Sequence, residues 1–90
     1  MTPRLIGMVH LGPLPGSPRY RGDIAGVVAA ASTDARTLIG AGFDAVLVEN
    51  FGDAPFFADD VPKTTIAAMT RAVTAIAGLG VPTGVNVLRN

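Results

Sequence analysis

The stretch AVLVENFGDAPF, residues 45–56, runs from an apolar strand straight into a polar turn. Ala45, Val46, Leu47 and Val48 are short or branched and suit a buried strand. Glu49, the only glutamate in the chain, and Asn50 then set a carboxylate and an amide where that strand stops. A charge directly after a buried strand is paired, wet or functional, because burying it bare is costly.

The same pattern recurs on either side. Upstream, LIGMV at 5–9 reads as another strand, since so short a segment makes only a marginal helix. Met8 is expected to fill core, and His10 follows at the strand end. LGPLPGSPRYRGD at 11–23 alternates prolines and glycines, which gives a long shaped loop ending in Arg19, Tyr20 and Arg21. Asp23 is placed to cap a helix from Ile24. Ile24, Val28, Ala31, Ala35 and Leu38 recur at helical spacing, and Gly40 and Gly42 end that helix.

Downstream of the opening stretch, the loop is acidic at Asp53, Asp59 and Asp60. Asp60 is expected to cap a second helix with Pro62 in its first turn. Ile66, Met69, Val73 and Ile76 form its apolar stripe, and Gly78 and Gly80 break it. Gly84 to Leu88 is the third strand, with Arg89 and Asn90 after it.

Strand, helix, strand, helix, strand predicts an α/β fold with parallel pairing and right-handed crossovers. Three parallel strands cannot close a barrel, so residues 1–90 are expected to be an open-edged portion of a longer α/β protein. A small complete α/β module is the alternative.

Seven basic and seven acidic side chains balance, which removes the electrostatic case for a nucleic-acid partner. A hydrophobic content of 49% argues against disorder. There is no cysteine, so disulfides and thiolate chemistry are excluded. The apolar run Ile24 to Ala31 falls far short of the roughly 20 residues that span a bilayer. No signal-peptide order of basic, apolar and cleavage segments follows the N-terminus. The cytoplasm is the expected location, with peripheral attachment to a membrane left open.

His10, Glu49, Asn50 and Asn90 fall at predicted C-terminal strand ends, where parallel α/β folds open toward ligands. Glu49 suits proton transfer, and His10 can assist near neutral pH. Asn50 and Asn90 suit the holding of hydroxyl or carbonyl groups, and period-two alternation puts Asn86 on the side of Asn90. Arg19 and Arg21 suit a phosphate or carboxylate. Each also has a plainer use. His10 can bond its own loop, Glu49 can pair with Arg89, and Asn50 can form a turn. Asp53 fits a structural turn better than a metal ligand. The glycine loops match neither a dinucleotide fingerprint nor a P-loop, and no zinc spacing or triad is present. The sequence names neither a cofactor nor a reaction.

Three stretches together carry a resemblance: LIGMVHLGPLPGSP at 5–18, GFDAVLVENFGDAPF at 42–56 and PTGVNVLRN at 82–90. They resemble the BtpA family, also called the BtpA/SgcQ family, over essentially the whole chain. The resemblance implies the N-terminal βαβαβ portion of a TIM (β/α)8 barrel akin to phosphate-binding barrels. It marks His10, Glu49, Asn50, Asp53, Asn86 and Asn90 as the family-like polar positions. The family pattern usually has Leu where this chain has Gly12, which adds loop freedom and removes no polar group. Two functions follow from the resemblance. One is binding or transforming a small phosphorylated metabolite. The other is a non-enzymatic assembly or stability role for a membrane complex, since the family takes its name from a cyanobacterial member needed for stable photosystem I. Oligomerisation through open sheet edges is also expected.

Overall fold

The computed structural model describes residues 5–53 and 62–88. Strand β1 (Ile6–His10) leads through the proline-rich loop to helix α1 (Ile24–Gly40). Strand β2 (Ala45–Glu49) is followed by a single 3₁₀ turn, Phe51–Asp53. Helix α2 (Lys63–Ala77) and strand β3 (Thr83–Asn86) complete the order. Both strand pairs are parallel, in the order β1-β2-β3.

That order distinguishes between two windings open to three parallel strands. A flavodoxin-like module places its first strand between its second and third. Here β2 is central, and both helices feed one core. Val9, Val46 and Val48 meet Ala31 and Ala35 of α1 and Ala68, Met69, Ala72 and Ile76 of α2. Successive strands therefore step in one direction with helices covering one face. This is an open parallel sheet with the winding of a partial (β/α) barrel.

Small residues set the spacing of these layers. A Cβ on Gly7 would come within 2.8 Å of Leu38 Cδ1, so α1 lies close on β1. The pleat sends Gly7, Val9, Val46 and Val48 toward the helices. Ile6, Met8 and Leu47 point to the other face.

The helix ends follow local chemistry. Asp23 accepts the Gly26 N–H at 2.9 Å as the N-cap of α1. Gly42, at φ +100°, takes the left-handed conformation after that helix, while Gly40 is still helical. Pro62 sits at the N-cap of α2 rather than inside its first turn. Asp60, the expected cap, lies outside the described residues, as does Asp59.

Three details depart from the periodicity. Ile66 is 47% exposed, and Thr65 and Ala68 take the buried face of α2 with Met69, Ala72 and Ile76. The face that α2 buries thus carries two alanines and a threonine, and Ile66 lies outside it. Met8 is 42% exposed on the sheet face that no helix covers, so it does not fill core. Strand β3 ends at Asn86, not Leu88, because the Leu88 backbone bonds to the Asn50 side chain instead of a ladder partner.

Candidate functional site

Register brings the strand ends together. His10 is the Cα partner of Glu49, and Glu49 is the partner of Asn86. Directly opposed residues in neighbouring strands share a face. The three side chains therefore form a row across the C-terminal ends of β1, β2 and β3, on the face away from the helices. Both strands run one residue further than their apolar letters suggested, so His10 and Glu49 are ladder residues.

Glu49 is the centre of the row. His10 Nε2 faces Glu49 Oε1 at 3.3 Å, and Asn86 Nδ2 donates to Glu49 Oε2 at 2.8 Å. The Glu49 side chain is 13% exposed and that of His10 is 48% exposed. A carboxylate flanked by two donors is held in one orientation, yet each oxygen keeps a further acceptor direction. The row thus combines a fixed anionic acceptor with an imidazole and an amide, a set able to accept a proton from a ligand and orient its polar groups.

Phe51 was not anticipated by the sequence reading. Its ring stacks on the His10 imidazole with centroids 4.6 Å apart and 16° between planes. The signal lay in its position, an aromatic residue two places beyond Glu49 in a turn.

Asn50 and Asp53 are buried behind the row. Asn50 Nδ2 donates to Asp53 Oδ2 and to the Leu88 carbonyl, both at 3.2 Å, and Asn50 Oδ1 accepts from the Leu88 N–H. Asp53 Oδ1 accepts the Leu14 N–H at 2.8 Å. The 3₁₀ turn is also tied down by its backbone, with the Gly52 N–H donating to the Leu11 carbonyl at 3.0 Å.

Arg19 and Arg21 are exposed in the proline-rich loop, and neither forms an ion pair among the described residues. Arg21 lines a cleft of about 340 Å³ with Tyr20, Asp23 and Val27, beside the start of α1. The row and this cleft are built from different residues. Asn90 and Arg89 lie outside the described residues. Among the described residues, no three His, Cys, Asp or Glu side chains gather around a common point that could hold a metal ion.

Comparison with known proteins covers the whole chain. An uncharacterised protein of Thermococcus kodakarensis is 58% identical over 89 residues, spanning 96% of this chain and 33% of that protein. One from Methanocaldococcus jannaschii is 51% identical over 87 residues, with the same shares. The photosystem I biogenesis protein BtpA of Synechocystis is 45% identical over 87 residues, spanning 96% of this chain and 30% of that protein. The chain thus spans about a third of the length of these relatives. No solved structure matches it. The BtpA family model matches residues 1–90, a span that takes in all three strands and every residue of the row, and the chain belongs to that family.

Proposed function

We propose that the chain is part of a factor supporting the assembly or stability of a larger protein complex at a membrane. The observation that carries this reading is the 45% identity to the Synechocystis protein named for photosystem I biogenesis. The complex served in this chain's own host need not be photosystem I. The reading takes peripheral attachment from a cytoplasmic position; no helix among the described residues is long and apolar enough to cross a membrane. The test deletes the gene in its host and quantifies membrane complexes. Loss of one complex, restored by the wild-type gene and equally by Glu49→Gln, supports the reading. Unchanged levels of every complex reject it.

A second reading is favoured by one specific observation, the convergence of His10 and Asn86 on Glu49. In it the whole protein binds or transforms a small phosphorylated metabolite. Glu49 transfers the proton, His10 assists and Asn86 orients. Asn50 and Asp53 are buried behind these strand ends, Asn90 is a further polar group that the sequence offers, and Arg19 and Arg21 are cations available to a phosphate. The test screens the full-length protein against phosphorylated sugars and nucleotides. Saturable turnover lost in Glu49→Gln with the fold intact supports it, and turnover indifferent to that substitution removes Glu49 from the chemistry.

A further inference from the structure

Asn50 and Asp53 are 1% and 5% exposed, and their polar atoms are bonded within the fold to each other, to Leu88 and to Leu14. Both Asn50 Nδ2 protons are engaged, one by Asp53 Oδ2 and one by the Leu88 carbonyl. Asn50 Oδ1 takes the Leu88 N–H. The amide therefore pairs at two points with the backbone just past β3, as a strand neighbour would. Asp53 reaches in the opposite direction, to the Leu14 N–H in the loop after β1. Two adjacent side chains of one turn thus hold the segments that follow all three strands. Between them sits Phe51, whose ring lies against His10.

We propose that Asn50 and Asp53 are positioning residues, a buried latch that joins the three strand-end segments and so holds Phe51 against His10 and His10 against Glu49. The proposal rests on the reading of the row as a ligand site, but it assigns these two residues to the geometry of that site rather than to contact with ligand. The reason is capacity. An amide with both N–H groups spent on buried partners has no donor left for a ligand, and releasing one would strand a buried acceptor. The 3₁₀ turn is short and has few bonds of its own. The Asp53 N–H donates to the Asn50 carbonyl at 3.0 Å, so the turn's path follows from where its two polar ends are fixed.

The test uses full-length protein with ¹³C-labelled histidine. The His10 resonance is assigned from its absence in His10→Gln. A stacked phenyl ring shifts the His10 Cε1–H signal upfield, and Phe51→Leu removes that shift and calibrates it. Asn50→Ala is expected to lose the upfield shift while circular dichroism stays native. Asn50→Asp is expected to lose it as well despite its near-identical shape, because it sets an oxygen against Asp53 Oδ2 and the Leu88 carbonyl. Asp53→Asn, which retains an acceptor for the Leu14 N–H, is expected to keep more of the shift than Asn50→Asp. A folded Asn50→Ala protein with the wild-type His10 signal overturns the proposal. If the Asn50 variants do not fold, Asp53→Ala is read in their place. If none of these variants folds, the two residues serve folding alone and the proposal falls. The measurement needs no ligand, so it decides the latch even where the metabolite screen finds no binding.

Discussion

Glu49 faces donors on two sides, and a glutamine in its place has one oxygen to offer where the carboxylate had two. In Glu49→Gln, the amide oxygen can keep the Asn86 bond while the amide N–H₂ faces His10, whose other tautomer accepts there. The cost in stability is small, below about 1 kcal/mol, because His10 is half exposed and water screens the pair. A thermal melt close to wild type checks this, and it makes the variant a clean probe of function. Gly52 is the opposite case. A Cβ there would lie 2.6 Å from the Leu11 carbonyl oxygen and 2.8 Å from Gly12 C and Pro13 N. All three are backbone atoms, which cannot turn aside. Gly52→Ala is expected to cost about 1–3 kcal/mol or more, read as a lower urea midpoint at unchanged slope.

The helices were largely legible from their letters, and the exceptions have physical causes. Asp23 capped where a short acceptor preceded an apolar run, and Asp23→Ala is expected to destabilise by about 1 kcal/mol in a denaturant titration. The stripe on α2 was misjudged at Ile66 because hydrophobicity was weighed without size. The buried face of α2 runs through Thr65, Ala68, Met69, Ala72 and Ile76, and Ile66 lies outside it. Ile76→Ala is therefore expected to cost about 2–5 kcal/mol, whereas Ile66→Ala stays within about 0.5 kcal/mol. Paired denaturation curves compare the two. The row was legible because strand ends in a parallel sheet gather whatever residues stand there. The Asn50 pairing with Leu88 was not, since a side chain that ends a ladder 38 residues away leaves no period in either segment.

The sheet has one covered face and one bare one. Ile6 is 58% exposed and Met8 42%, next to Leu5 at 52%, all on or beside β1. On the helix side, Ile66, Met69, Val73, Val85 and Val87 line an open apolar groove of about 210 Å³. Surfaces of this kind drive association. The isolated 90-residue chain is expected to sediment as a concentration-dependent mixture of species. Met8→Lys is expected to shift that mixture toward monomer.

The pleat of β1 and β2 also divides labour within single strands. Gly7, Val9, Val46 and Val48 face the helices, while His10 and Glu49 occupy the alternate positions on the other face. Asn86 joins them from β3 in the same register. The chemistry of the row can therefore be rewritten one strand at a time, by evolution or in a combinatorial library at 10, 49 and 86, without disturbing what keeps the layers together.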